Sequence, residues 1–209
     1  MVTELARDPQ GYFAERVKYP QVRRQVVIVA IAGLIANLWQ PALLYGLGAT
    51  SDYIADVLLI LAFVGVLEFI AVWLLLTGVM YFVTGLLGGD TNFGRLLRVT
   101  GYGYIPIWIS GAIWSVGHYL VLTDVGPPEP PVSGGFYYRY DVYTDFIAQG
   151  SGDLILLGSI LIGSAFVLAS GYLWFQAISA ETELDTNKAL VPAAIALSLT
   201  YVWIFISFV

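Results

Sequence analysis

Residues 54–87 read IADVLLILAFVGVLEFIAVWLLLTGVMYFVTGLL, and the only charged residues in this stretch are Asp56 and Glu68. A helix needs about 20 predominantly apolar residues to cross the hydrocarbon core of a bilayer, which is roughly 30 Å thick. At about 1.5 Å per residue, a helix over the whole stretch would reach about 50 Å. We therefore expect a membrane-spanning helix whose first turns, around Asp52 and Asp56, lie outside the hydrocarbon.

Four further segments have the length and composition of membrane spans. They run from about Gln25 to Tyr45, Tyr104 to Leu122, Leu154 to Ile178 and Ala189 to Phe208. The chain of 209 residues is 58% hydrophobic and only 11% charged, whereas a soluble domain carries roughly 25% charged residues. The sequence therefore predicts an all-α membrane protein. A five-transmembrane-helix bundle is expected over residues 25–209, after a cytoplasmic segment over residues 1–24.

The basic residues predict the orientation of this bundle, because the cytoplasmic loops of membrane proteins carry an excess of Lys and Arg. With the N-terminus inside the cell, eight of the nine basic residues are cytoplasmic and only Arg139 is outside. Four or six spans would break this asymmetry. We expect a multi-pass protein of the plasma membrane with a cytoplasmic N-terminus and an extracellular C-terminus.

The N-terminal segment is predicted to contain a short interfacial helix on the inner leaflet. Asp8-Pro9 is typical of a helix start, with a capping carboxylate followed by proline at the first helical position. The residues after it combine apolar side chains with Arg16 and Lys18. A frayed tail is the alternative interpretation of this segment.

The loop 88–100 is predicted to contain a second interfacial helix. Its apolar side chains share one helical face, and Arg95 and Arg98 point away from that face. Basic side chains so placed can extend to anionic headgroups. We expect Arg16, Lys18, Arg95 and Arg98 to form an inner surface that contacts lipids or protein partners.

Glu68 is the most informative single residue of the chain. An ionised carboxylate near the middle of a span costs about 2.5–3.5 kcal/mol on insertion scales, so Glu68 is expected to face the bundle interior, to be protonated or to meet a partner. No Lys or Arg lies at matching depth. The candidate partners are water, the tyrosines, Asn37, Ser110, Ser164, Ser170 and Thr200. Two interpretations stay open: an ion or proton site, or a hydrogen bond that holds helices together.

Composition excludes several classes of site. The chain has no cysteine and a single histidine, His118, which excludes thiolate nucleophiles, iron–sulfur clusters, cysteine zinc sites and multi-histidine metal sites. No Gly-rich stretch ends in a phosphate-binding lysine. We expect no catalytic residues, no metal, no cofactor and no nucleic-acid partner. His118 lies near the outer end of its span and is predicted to be a hydrogen-bonded interface residue.

The longest outer loop, between the third and fourth predicted spans, is rich in aromatic residues over positions 136–146. One interpretation is a lid or docking surface. The favoured interpretation is an aromatic belt at the outer membrane interface, where amphipathic rings of tyrosine and tryptophan accumulate.

The third span opens with Gly101-Tyr102-Gly103-Tyr104-Ile105-Pro106, in which Pro106 lies close to the helix start, where its missing N–H is tolerated. This motif follows a Gly-Gly-Asp loop and the basic segment 93–99. Together with five spans and a cytoplasmic N-terminus, it resembles the Yip1 domain. More narrowly, the chain is similar to the Yip1-like proteins of halophilic archaea, whose acidic bias it shares with a net charge of −6.

This resemblance implies a non-enzymatic membrane scaffold or adaptor that associates with itself or with other membrane proteins. It also marks Gly101, Tyr102, Gly103, Tyr104 and Pro106 as the family-like motif. The Asp-Leu-Tyr-Gly-Pro motif of eukaryotic members does not occur in these residues, and we expect no long N-terminal region of the eukaryotic kind. The contacts of eukaryotic members with prenylated Rab-type GTPases are therefore not carried over. The alternative function is a small channel or transporter that uses Glu68.

The predicted orientation can be tested by labelling single cysteines, because the natural chain contains none. In intact cells, a cysteine at Thr91 should resist a membrane-impermeant thiol reagent, and a cysteine at Ser133 should react with it. As a control, the cysteine at Thr91 should react once the cells are permeabilised. Labelling at Thr91 from outside intact cells would contradict the orientation.

Overall fold

Helices make up every regular element in the part of the chain that the computed structural model describes, namely residues 5, 7–16, 22–48, 54–128, 136–182 and 184–208. In chain order they are α1 (Pro9–Arg16), α2 (Arg23–Ala36), α3 (Trp39–Gly46), α4 (Ala55–Leu86), α5 (Phe93–Thr100), a 3₁₀ turn (Gly101–Tyr104), α6 (Ile105–Val125), α7 (Phe136–Gly150), α8 (Leu154–Glu181) and α9 (Thr186–Phe208).

Five stretches of this structure are long and apolar enough to cross a membrane. They are Arg23–Gly46, Ala55–Leu86, Phe93–Val125, Leu154–Glu181 and Thr186–Ile206. The predicted all-α architecture with five spans is therefore confirmed. We call the end of the bundle that carries α1, α5 and the 3₁₀ turn the α1 end, and the opposite end, which carries α7, the α7 end.

The first span is divided into α2 and α3, although the sequence predicted one continuous segment. The division falls at Asn37 and Leu38, and its cause is Pro41. A proline within a helix offers no N–H and its ring crowds the carbonyl four residues earlier, which here is the carbonyl of Asn37. The Asn37 carbonyl oxygen instead accepts from the N–H of Gln40 at 3.2 Å, and the Asn37 side-chain amide donates to the carbonyl oxygen of Gly33 at 2.8 Å.

The outer loop contains a helix, α7, which the sequence analysis did not predict. Phe146 of α7 is fully buried and packs in a cluster with Trp39, Leu43, Ile54, Leu58 and Leu122. An ion pair adds to this contact, because Arg139 Nη2 lies 2.9 Å from Asp56 Oδ2 at the start of α4. The aromatic segment is thus a helix packed on the α7 end of the bundle, with Tyr138 and Tyr140 on its exposed side.

Helices α6 and α8 approach each other closely through small residues. Ser110 donates to the carbonyl oxygen of Gly163 at 2.8 Å, and a methyl group on Gly163 would overlap the Trp114 indole. One turn along, Gly117 faces Ser159 with no room for a side chain. The spacing of Ser159 and Gly163, two small residues four positions apart, is typical of closely packed membrane helices, and the structure shows this packing.

The α1 end is organised around Thr100, the last residue of α5. Its hydroxyl accepts a hydrogen bond from Trp73 Nε1 at 3.2 Å and lies 2.9 Å from the Thr77 hydroxyl, both on α4. Its carbonyl oxygen accepts from Trp174 Nε1 of α8 at 3.0 Å. Thr100 is fully buried, so one residue connects three helices by polar contacts in a part of the bundle that excludes water.

Helix α1 packs on this end of the bundle. Asp8 Oδ1 accepts from the backbone N–H of Gly11 at 2.9 Å, which caps the helix as the sequence predicted. Tyr12 and Phe13 are buried, and both rings contact Tyr102 edge to face, with centroids 5.4 and 6.1 Å away. The apolar side of α1 therefore contacts protein, where the sequence analysis had directed it at the lipid leaflet.

Replacing Thr100 with valine tests this arrangement. Valine keeps the shape of threonine but removes the oxygen that Trp73 and Thr77 contact. We expect the free energy of unfolding, measured by detergent-induced unfolding in mixed micelles, to fall by about 0.6–2 kcal/mol.

Thr123→Val is the matched control, because the Thr123 hydroxyl bonds only carbonyl groups of its own helix among the described residues. Its effect should be clearly smaller. Equal losses in the two variants would contradict a connecting role for Thr100.

Candidate functional site

A cavity of about 190 Å³ lies among α3, α4, α6, α7 and α9, on the α7 side of the bundle. Its polar lining residues come from different helices and converge there: Asn37, Gln40, Glu68, His118 and Tyr143. Concave sites with a few convergent polar groups are the usual form of small-molecule sites in proteins. The cavity is therefore the strongest candidate for a ligand site in the described part of the chain.

Glu68 forms one wall of the cavity. Its Oε1 accepts a hydrogen bond of 2.6 Å from the Trp203 indole N–H of α9. The Glu68 side chain is exposed rather than enclosed between helices. The ring of Phe69, on the same helix, contacts the Trp203 ring edge to face at 4.9 Å, and this contact holds the indole in place beside the carboxylate.

Asn37 and Gln40 form a second polar wall, at the division between α2 and α3. Gln40 Nε2 donates to Asn37 Oδ1 at 3.2 Å, and the Asn37 side chain packs against Gly65 of α4. Gln40 is only 4% exposed, and its Oε1 has no hydrogen-bond partner among the described residues. This oxygen can therefore accept a further hydrogen bond from a water molecule or a ligand.

His118 and Trp39 form the third wall. Their rings are stacked, with centroids 4.9 Å apart. His118 Nδ1 lies 2.9 Å from the carbonyl oxygen of Trp114, so Nδ1 carries the proton and Nε2 is the acceptor of the neutral ring. The residue is buried and lines the cavity, whereas the sequence analysis placed it at the membrane interface.

Helix α7 covers the cavity through Tyr143 and Ile147. Burial raises the pKa of the Tyr143 phenol above its ordinary value, and the neighbouring Tyr140 raises it further. Tyr143 therefore remains a neutral hydrogen-bonding group over the physiological pH range. The aromatic segment thus contributes to the lining of the cavity.

The sequence analysis identified one of the residues that meet at this site, Glu68, and named Asn37 as a candidate partner. It missed Trp203, which is the observed hydrogen-bond donor to Glu68, and it missed Gln40. A usable signal existed for Gln40, because it follows Asn37 by three residues within an apolar span. No local signal distinguishes Trp203 from the other tryptophans.

The Gly-Tyr motif at the α1 end has a different character. Gly101, Tyr102, Gly103 and Tyr104 form the 3₁₀ turn, and all four are buried. The Gly101 backbone lies against the side chain of Gln25, and a methyl group on Gly103 would overlap the Trp174 indole. Pro106 falls in the first turn of α6, as the sequence predicted.

Comparison with known protein families gives one match, and it extends over almost the whole chain. The Yip1 domain matches residues 4–207. The chain belongs to the Yip1 domain family. Comparisons with curated proteins and with solved structures give no match.

Membership fits what the structure has in common with a Yip1 domain, a bundle of several apolar helices. The family consists of non-enzymatic membrane proteins that interact with membranes and with other proteins. Within the described residues, no group of three or more His, Asp or Glu side chains is arranged to hold a metal ion.

The basic residues of this Yip1 domain lie at the α1 end. The Arg95 side chain is 57% exposed. Its Nε lies 3.9 Å from Oε1 of Glu181, whose side chain is fully buried. Arg98 is half-buried. Arg16 ends α1, and Lys18 lies outside the described residues. Arg95 is therefore the basic residue of this set with a demonstrated surface position.

Replacing Gly103 with alanine tests the tight packing of the motif. The added methyl group would displace the Trp174 indole and its hydrogen bond to Thr100. We expect the free energy of unfolding to fall by about 1–3 kcal/mol, as in other overpacked cores, together with a change in tryptophan fluorescence.

Gly78→Ala is the control for this substitution. Gly78 lies within α4 and has open space where a methyl group would stand. Alanine there should leave stability unchanged or raise it by about 0.5–1 kcal/mol, because glycine weakens helices. If the two variants behave alike, the close contact at Gly103 is not important.

Proposed function

We propose that this Yip1 domain is a membrane scaffold or adaptor whose α1 end faces the cytoplasm and engages other membrane proteins or a second copy of the chain. The observation that carries this proposal is the docking of α1 on the Gly-Tyr turn through Tyr12, Phe13 and Tyr102. A short amphipathic helix fixed in this way presents a preorganised surface, and preorganisation reduces the entropy that binding must overcome.

The motif itself supports an indirect role in binding. All four residues of the Gly-Tyr turn are buried, so a partner cannot touch them without unfolding the turn. The contact surface is then what the turn holds in place: α1, α5 and the exposed Arg95. Arg95 also suits anionic headgroups at the cytoplasmic leaflet.

The positive-inside distribution supports a plasma-membrane protein with a cytoplasmic N-terminus and an extracellular C-terminus. Eight of nine basic residues fall on the α1 side of the predicted spans. The net charge of −6 supports a protein of a halophilic archaeon, where acidic surfaces remain hydrated in salt. Residues 1–24 then form the cytoplasmic segment and residues 25–209 the membrane domain.

A channel or transporter that uses Glu68 has less support. The polar side chains that surround Glu68 line one cavity on the α7 side of the bundle. Toward the α1 end, the bundle is filled by large apolar side chains that are almost completely buried, including Trp73, Leu76, Met80 and Trp174. Ion pathways are typically lined by carbonyl groups or charged side chains. The buried polar groups Thr77 and Thr100 of this half are instead hydrogen-bonded between helices.

Site-specific photo-crosslinking tests the proposed contact surface. A photoreactive residue at Phe93, exposed on α5, should give adducts with other membrane proteins or with a second copy in intact cells. The same residue at Tyr138, exposed on α7, is the matched control at the opposite end. Adducts found only from Tyr138 would refute the proposal.

The contribution of Arg95 needs a separate comparison, because removing it alone would leave the buried Glu181 with Arg98 as its neighbouring cation. The variant Glu181→Gln should keep the Phe93 adducts. The double variant Glu181→Gln/Arg95→Gln should lose most of them while unfolding at a similar temperature. Unchanged adducts in the double variant would remove Arg95 from the contact surface.

A further inference from the structure

The cavity at Glu68 has a composition that an adaptor function does not require. It contains one carboxylate, and no Lys or Arg is among the described residues that line it. An ionisable residue inside a membrane span is costly and usually functional. An ionised Glu68 would have no balancing charge among these lining residues, and a cationic occupant would supply one.

The carboxylate has the capacity to bind such an occupant. An ionised carboxylate offers about four acceptor positions. Among the described residues the hydrogen bond that reaches Glu68 comes from Trp203, at 2.6 Å on Oε1. That bond fixes the orientation of the carboxylate and leaves Oε2 for another partner. Because the Glu68 side chain is exposed, a ligand can reach it without unfolding a helix.

The remaining walls are aromatic. The rings of Trp39, Phe69, Trp114, Tyr143 and Trp203 all line the cavity. Aromatic faces attract cations within about 6 Å, and tryptophan does so most strongly. Cages of such rings beside a carboxylate are suited to alkylammonium groups, whose charge is spread over an apolar surface.

A hard metal ion fits this lining less well. Calcium takes about six to eight oxygen ligands and magnesium about six in regular geometry. Besides the Glu68 carboxylate, the cavity offers the side-chain amide oxygens of Asn37 and Gln40 as metal ligands. Asn37 Oδ1 already accepts a hydrogen bond from Gln40. Gln40 Oε1 is the buried acceptor without a described partner, and it can receive an N–H or O–H group of an organic ligand.

The volume limits the size of the occupant. The cavity measures about 190 Å³, below the roughly 300–1,000 Å³ of pockets for drug-sized ligands. We propose that this cavity is a binding site for a small organic cation of the alkylammonium class. Glu68 supplies the counter-charge, the aromatic rings form the walls, and Gln40 Oε1 accepts a hydrogen bond from a polar substituent.

Choline is a suitable probe, because it combines a quaternary ammonium group with a hydroxyl donor. Its neutral isostere 3,3-dimethyl-1-butanol has the same shape without the charge, and sodium chloride controls for ionic strength. With the full chain in an uncharged detergent, choline should give a saturable change in tryptophan fluorescence and a higher unfolding temperature. The neutral isostere should bind at least about tenfold more weakly, because it loses the ionic contact.

Two variants locate the site. Glu68→Gln keeps the size of the side chain and should raise the Kd for choline at least about tenfold, whereas Asp90→Asn, in the exposed loop at the opposite end, should not. If Glu68→Gln fails to fold, Tyr143→Leu removes one aromatic wall and should weaken binding several-fold. Its control is Tyr138→Leu on the exposed side of α7.

Three results would overturn the proposal. The first is the absence of any saturable response to choline up to about 10 mM, which would make the cavity a water-filled structural feature. The second is an equal response to sodium or to the neutral isostere. The third is unchanged choline binding in a folded Glu68→Gln or Tyr143→Leu variant. None of these results bears on the crosslinking at the α1 end, so the two proposals fail or stand separately.

Discussion

The absence of water in the hydrocarbon core governs this structure, because every polar group there must find its partner inside the protein. Tryptophan side chains provide many of these contacts between helices. Their indole N–H groups donate across helix pairs: Trp73 to Thr100, Trp108 to Ile28, Trp174 to Thr100 and Trp203 to Glu68. A tryptophan combines a large apolar surface with a single donor, so it can fill space between helices and still make a directed bond.

Small residues make these bonds reachable. The carbonyl oxygen of Gly163 accepts from Ser110. A methyl group on Gly163 would overlap the Trp114 indole, so the absence of a side chain there lets α6 and α8 approach closely. The same holds at the 3₁₀ turn, where Gly103 leaves room for the indole that bonds Thr100. Glycine and tryptophan therefore pack against each other in pairs in this bundle: Gly103 against Trp174, and Gly163 against Trp114. Packing of this kind replaces the hydrophobic driving force, which is weak between helices in lipid.

The sequence predicted the features that depend on local composition and missed those that depend on register between distant helices. Five spans, the position of Pro106 and the packing step at Gly163 follow from apolar length, proline geometry and residue size. The partner of Glu68 does not, because Trp203 lies 135 residues away and nothing in the sequence states which faces meet. Pro41 and the polar residues Asn37 and Gln40 before it indicate the division of the first span. Hydropathy averaged over a whole span does not show it, because the surrounding residues are apolar.

These observations divide the bundle into halves with different properties. At the α1 end, large side chains fill the interior and the polar groups of Thr100 are matched by tryptophans and a threonine, which favours one rigid arrangement. On the α7 side, the first span is interrupted at Asn37, and the cavity lies beside this interruption. Polar side chains line the cavity, and one of their atoms, Gln40 Oε1, has no described hydrogen-bond partner. An interior with unused capacity is less stable than a filled one. Buried polar atoms without a described partner also lie at the α1 end, Gln25 Oε1 among them, so the unused acceptor alone does not distinguish the cavity. Its combination with open volume and the Glu68 carboxylate does distinguish it, and this combination favours an occupant.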